Sequence, residues 1–216
     1  VTEGSASGGM EAAPWRVITI AIAIGTVTWL MALPSSVSGV ETWAFRLFND
    51  LPDWLEMPTW PIMQMGALAM VPIAAGLVYL SWRRWQPAIA VLGAGTEAWL
   101  ISRLVKELVG RGRPATLLDR VNLRPAWDGF GFLSGHTTIA FAIATIVGPR
   151  LGRTGKVLIW SGAVATGLLR MYTGAHLPLD VIGGAALGIA LGSLGRWAVG
   201  ELGIDSASTQ EGREST

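Results

Sequence analysis

The stretch VITIAIAIGTVTWLMALPSSV, residues 17–37, contains no charged side chain and is opened by Arg16. A hydrocarbon layer about 30 Å thick is crossed by about 20 helical residues, longer than the apolar run a buried core helix needs. This block meets that length. Residues 61–82 meet it too, remaining uncharged until Arg83. A third block, residues 87–109, carries Glu97, Arg103 and Lys106. It crosses only with partners for those groups or with the groups near an interface, and Glu97 is expected to pair with a neighbouring helix or with Arg103. Residues 137–147, 157–172 and 179–199 are the remaining apolar blocks. The pattern predicts an all-α fold, a bundle of six transmembrane helices. Composition agrees: 51% hydrophobic and 14% charged residues over 216 positions, with a mean hydropathy of +0.47, exclude an ordinary soluble domain.

Outward from these blocks, the chain reads as one membrane domain over residues 15–202. The segments 1–14 and 203–216 are rich in Gly, Ser, Thr and Glu without apolar periodicity and are expected to be disordered. The first fourteen residues lack the positive n-region of a secretory signal, so the first span is expected to be a retained anchor. Gly183, Gly184, Gly188 and Gly192 fit close helix packing. Trp15, Trp60, Trp82, Trp85, Trp160 and Trp197 lie near predicted span ends, as an interfacial belt requires, whereas Trp29 and Trp99 lie deeper. Cysteine is absent, which excludes disulfides, thiolate chemistry and Cys-based zinc sites.

Arg83, Arg84, Arg150, Arg153 and Lys156 occupy two connections that the positive-inside rule assigns to the cytoplasm, along with both termini. The first outer loop then holds Glu41, Asp50, Asp53 and Glu56 against Arg46. Arg111, Arg113, Arg120 and Arg124 oppose the rule on the outer side, with Lys106 and Arg170 nearby, so these cations are expected to have a specific anionic partner. Glu97, Asp119 and Asp128 are read as structural acids.

Three short motifs meet on that outer side of the six-span layout: KELVGRGRP from Lys106 to Pro114, LSGH from Leu133 to His136, and RMYTGAHLPLD from Arg170 to Asp180. They contain both histidines of the chain. A specific anionic partner needs several cationic donors in a dry setting, and Arg113 and Arg170 offer planar forks while Lys106 adds a point charge. Ser134 and the Gly135 amide stand at a helix start, where the dipole favours an anion. His176 and Asp180, four residues apart, share a helical face, with Pro178 tolerated in the first turn.

These motifs resemble the three-part signature of the type 2 phosphatidic acid phosphatase superfamily, K-x6-RP, PSGH and SR-x5-H-x3-D. Order and spacing match throughout; Leu133 stands where the pattern has proline and Leu169 where it has serine. The resemblance implies a metal-independent membrane lipid phosphatase without a cofactor. It makes His176 the nucleophile that forms a phosphohistidine, oriented by Asp180, and His136 the acid that protonates the leaving oxygen and later helps to activate water. It assigns Lys106, Arg113, Ser134, Gly135 and Arg170 to phosphate binding. The expected substrate is a polyprenyl phosphate or diphosphate or a phosphatidic-acid-type lipid, met at the outer face of a bacterial plasma membrane. Polyprenyl diphosphate, a carrier for cell-envelope polymers, is slightly favoured. The expected partners are this lipid and the surrounding membrane lipids, with no nucleic acid, and the sequence is compatible with a homo-oligomer. Two alternatives stand beside this reading: a non-hydrolytic scaffold or transport subunit with a degenerate phosphate pocket, and a phosphotransferase to an acceptor other than water.

Overall fold

The structure, a computed structural model, describes residues 14–33, 36–124 and 128–214, with side chains as far as residue 200. The described residues are helical, with no strand among them. In chain order they form α1 (Trp15–Ala32), α2 (Gly39–Asn49), α3 (Glu56–Gln64), α4 (Met70–Trp82) and α5 (Trp85–Val109). These are followed by a single turn α6 (Pro114–Leu117), then α7 (Gly135–Val147), α8 (Arg153–Tyr172) and α9 (Pro178–Glu214). Large apolar side chains such as Ile20, Leu77, Leu100 and Leu158 are more than half exposed on the outer surface, the arrangement expected of a protein solvated by lipid.

Three helical stretches are long and apolar enough to cross a membrane: Trp15–Ala32, Trp85–Leu117 and Pro178–Gly200, with Met70–Trp82 a shorter apolar helix. The count differs from the six spans expected. Helices α4 and α7 have 13 residues each, fewer than a full crossing takes, and α8 begins with Arg153 and Lys156.

The block at residues 61–82 is not one helix. It is α3 and α4 separated by residues 65–69, and a Cβ at Gly66 would collide with the backbone carbonyl of His136, so glycine lets the break lie directly on the start of α7. The first helix is also shorter than expected, ending at Ala32 two positions before Pro34, which has no N–H to continue the helix. The expected tail differs as well, since residues 203–214 continue α9 as helix; extending an existing helix needs no new nucleus. The expectation for residues 1–13 falls outside the described part of the chain.

Helices α1, α4, α5, α7, α8 and α9 alternate in direction between two ends of the bundle. At one end Trp15 stacks near Trp197 with ring centroids 5.3 Å apart, and the Arg150 guanidinium lies 5.9 Å from the Trp82 ring. At the other, Gly66 meets His136 and Gly183 meets Thr28.

The centre is an apolar cluster drawn from α4, α5, α7 and α9, including Val71, Val91, Ala94, Ile139, Ala142, Ile146 and Leu191. Helix α9 packs most extensively on α7 and α1. Gly184, Gly188 and Gly192 form a stripe at four-residue spacing that faces the carbonyls of Ser134, Thr138 and Ala142 on the α7 side. A Cβ at Gly184 or Gly192 would come within 2.7 Å of its carbonyl, so these helices touch backbone to backbone, as small-xxx-small packing provides.

Candidate active site

The site forms where the C-terminal end of α5, the N-terminal ends of α7 and α9, and the end of α8 converge. Tyr172 closes α8, and Gly174 follows at φ +73°, a left-handed conformation that suits glycine. The turn folds back so that the amides of Ala175 and His176 both donate to the Arg170 carbonyl, at 3.1 and 3.2 Å. Arg170 and His176 are thereby tied together, each 2% exposed.

Asp180, fully buried in the first turn of α9, receives the Leu177 amide on Oδ2 at 2.9 Å, a local helix-start bond. The same oxygen lies 3.4 Å from His176 Nδ1. Ser134 caps the entry to α7, and its amide donates to the Asp180 carbonyl at 2.9 Å. Its hydroxyl accepts from Thr137 Oγ1, also at 2.9 Å.

Lys106 donates to the carbonyls of Phe130 and Gly131 at 3.1 and 3.0 Å. Arg113 donates to the carbonyls of Asp128, Gly129 and Ala175 at 2.8 to 3.1 Å. His176 is held well below the ordinary histidine range, first by burial and then by the positive charges of Lys106, Arg170 and Arg113. It is therefore a neutral imidazole at neutral pH, with a lone pair to offer. The eight residues singled out in the sequence, Lys106, Arg113, Ser134, Gly135, His136, Arg170, His176 and Asp180, all lie on the segments gathered at this end.

Two site residues escaped the sequence reading as functional positions. Arg111, 4% exposed, makes a two-pronged pair with Glu41, Nη1 to Oε1 at 3.1 Å and Nη2 to Oε2 at 2.7 Å, and Nη1 also reaches Asp180 Oδ1 at 3.0 Å. Asp180 is thus held on both oxygens, one by Arg111 and the other toward His176. Glu41 Oε1 also accepts from the Leu179 amide at 3.2 Å. A signal for Glu41 exists in the chain: Ser38 and Glu41 have S-x-x-E spacing, and Ser38 Oγ accepts the Glu41 amide at 3.2 Å. The Glu41 carboxylate, however, reaches across to α9 and Arg111.

The expected partner of the outer cations is corrected by these contacts. For Arg111 it is Glu41 and Asp180, and for Arg124 it is Asp53 at 2.9 Å together with the carbonyls of Asn49, Leu51 and Tyr172. The expected Glu97–Arg103 pair is not among the described ion pairs; the Arg103 guanidinium lies 5.2 Å from the Trp99 ring and Glu97 is exposed. Asn49, almost fully buried, donates to the carbonyls of Asn122, Met171 and Tyr172, which pins the end of α2 onto the end of α8.

Among known proteins, the chain is 30% identical over 155 residues to phosphatidylglycerophosphatase B of Bacillus subtilis, covering 64% of this chain and 72% of that one. It is 29% identical over 161 residues to the bacitracin transport permease protein BcrC of Bacillus licheniformis, covering 71% and 78%. The crystal structure of LpxE from Aquifex aeolicus superposes with a TM-score of 0.66 at 27% identity, over 73% of this chain and 95% of that one. The PAP2 superfamily model matches residues 85–203, which include every motif residue that the structure gathers at this end of the bundle. With its apolar helices and this buried cationic site, the chain belongs to the PAP2 superfamily and is an integral membrane protein of its phosphatase branch.

Proposed function

We propose that the protein hydrolyses a lipid phosphate or diphosphate through a phosphohistidine on His176. The observation that carries this reading is the buried, neutral imidazole set against a carboxylate that is fixed on both oxygens. In the proposed reaction the phosphoryl group lies among Lys106, Arg113 and Arg170, with the Ser134 hydroxyl and the Gly135 amide at the α7 start. His176 Nε2 attacks phosphorus while the bond to the lipid oxygen breaks, and His136 gives that oxygen a proton. Asp180 keeps the proton of His176 on Nδ1 and stabilises the positive charge that develops on the ring. Water then attacks the phosphohistidine, His136 takes a proton from it, and inorganic phosphate leaves with His176 restored. Protein cations supply the electrostatic stabilisation, so the scheme needs no metal.

The alternating helices support six crossings, with α4 and α7 completed by interfacial residues at their ends, and both termini on the side opposite the site. Arg83, Arg84, Arg150 and Arg153 cluster at that opposite end, and acidic Glu41, Asp53 and Glu56 lie at the site end, in keeping with a site on the extracytoplasmic face of a bacterial plasma membrane. Polyprenyl diphosphate is the substrate favoured by that placement.

The test is phosphate release by the purified protein in detergent from polyprenyl diphosphate, polyprenyl phosphate and phosphatidic acid, with EDTA present and His176→Ala alongside. Release that survives EDTA and falls about 10⁴-fold or more in the variant is expected. A second reading is favoured by the transport name of the Bacillus licheniformis relative. No release from any of these lipids would move the assignment to a non-hydrolytic transport subunit, and release only with an added alcohol acceptor would make it a phosphotransferase.

A further inference from the structure

Between α1, α5 and α9 runs a groove of about 320 Å³ that opens on the outer surface of the bundle, where Ile22, Trp29 and Leu108 are exposed. Its walls include Gly25 of α1, Val105 and Val109 of α5, Gly183 and Leu187 of α9, and Leu133 from the loop before α7. Three of these segments, α5, the loop before α7 and α9, carry phosphate-site motifs. Val105 precedes Lys106, Leu133 precedes Ser134, and Gly183 follows Asp180 by one helical turn. The groove therefore begins beside the phosphate site and continues along α9 for about 10 Å, from Gly183 to Ala190 at the helical rise.

We propose that this groove seats one hydrocarbon chain of the phosphorylated lipid, with Leu133 as its floor at the phosphate end. The inference rests on the lipid phosphatase reading and adds to it a place and a selectivity. Leu133 is one of the two departures from the superfamily signature, and the structure gives it a task. It is 5% exposed and clusters with Ala32 and Phe132 against Val105, Val109 and Leu187, extending the apolar wall to the residue before Ser134. Glycine at 183 lets Phe132 and Thr28 pack directly on α9 at this end of the groove, since a Cβ would press on both at 3.0 Å.

The groove, about 320 Å³ in volume and about 10 Å long beside α9, has room for a run of hydrocarbon chain. Its lining carries no charged side chain. A lipid chain already lies in hydrocarbon, so entering the groove gains little from leaving water. The gain is close packing and a fixed register that brings the phosphate to Lys106 and His176. The groove thus acts on chain-length selectivity through orientation.

The experiment compares kcat/KM for a water-soluble short-chain alkyl phosphate, a long-chain alkyl phosphate and a polyprenyl phosphate in mixed micelles. Gly25→Leu and Ile22→Trp narrow the groove from α1; a Cβ at Gly25 meets only Ala186, at 4.0 Å. Gly76→Leu, on α4 with open space around it, is the control. The expected result is a fall of about tenfold or more in the long-to-short ratio for both groove variants and an unchanged ratio for the control. An unchanged ratio in the groove variants, or an equal fall for every substrate, overturns the proposal. Whether the alkyl or the polyprenyl ratio falls further identifies the chain type.

A second readout does not need turnover. The chain has no cysteine, so Thr26→Cys places a single thiol in the groove wall. A long-chain alkyl phosphonate should slow its maleimide labelling where a short-chain phosphonate does not, and equal labelling with both overturns the groove even if the wild type hydrolyses lipids. Failure of the wild type to hydrolyse any of the three substrates would instead count against the phosphatase reading.

Discussion

Arg111 and Arg113 are two residues apart, both at the end of α5, yet they are satisfied in opposite ways. Arg111 lies between two carboxylates, Glu41 and Asp180. Arg113 and neighbouring Lys106 donate, through the bonds described, to backbone carbonyls. A cation matched by the protein's own anions has its charge cancelled locally and serves as a brace. One held by carbonyl dipoles is fixed in place but keeps a net positive charge to present to an arriving anion. The difference separates structural charge from functional charge within a single tripeptide.

The comparison is broken most directly at Arg113. Arg113→Ala should lower kcat/KM for lipid phosphate by about 10³-fold with little change in thermal unfolding, whereas Arg113→Lys, which keeps the charge and loses the fork, should recover part of the loss. A large drop in melting temperature for Arg113→Ala would place it with the braces. Arg111→Ala should do the reverse, destabilising the protein by about 3–5 kcal/mol in detergent because Glu41 and Asp180 are left as buried charges without their cation.

Glu41→Gln sharpens the distinction. It keeps the shape of the brace and removes its charge, so kcat is expected to fall about tenfold through looser positioning of Asp180, with KM nearly unchanged; a change confined to KM would contradict this. The pH dependence gives a further check. A nucleophile held well below the usual histidine range loses activity only when pH falls through that lowered value, so the acidic limb of kcat/KM belongs below about pH 6.5. Smallest of all is Asp53→Asn. The carboxylate is 86% exposed and Arg124 keeps its carbonyl partners, so unfolding should shift by less than about 1 kcal/mol.

The sequence disclosed the motif residues that the fold gathers at one end better than it disclosed their supports. Lys106, Arg113, Ser134, His136, Arg170, His176 and Asp180 stand at fixed short spacings within three motifs, and local spacing is what a single sequence records. Glu41 and Arg111 are 70 positions apart, and no spacing rule joins them. The bounds of α5 and α7 and the start of α9 were legible because apolar runs end at Gly, Pro or charge. The division of residues 61–82 was not, because hydropathy is blind to the contact between Gly66 and His136 that interrupts the helix. Helix α2 was read only as an acidic loop, since it buries Glu41 and Asn49 beside Phe45 and exposes Val40, Trp43 and Leu47, a pattern that resembles neither a span nor a soluble helix.

The glycine stripe of α9 has a consequence for how precisely the chemistry can be kept in register. Helix α7 carries His136 and α9 carries Asp180, and at Gly184, Gly188 and Gly192 the backbone of α9 lies directly against carbonyls of α7, beside the Cβ atoms of Thr137, Phe141 and Thr145. Side chains can change rotamer, but a backbone-to-backbone contact has almost no freedom to adjust, so the stripe is a spacer of nearly fixed thickness between His136, the proposed proton donor, and Asp180, the proposed partner of the nucleophile. One methyl group at Gly188 should therefore widen that gap more than a bulky substitution on the lipid-facing side of either helix, and disturb proton transfer before it disturbs binding.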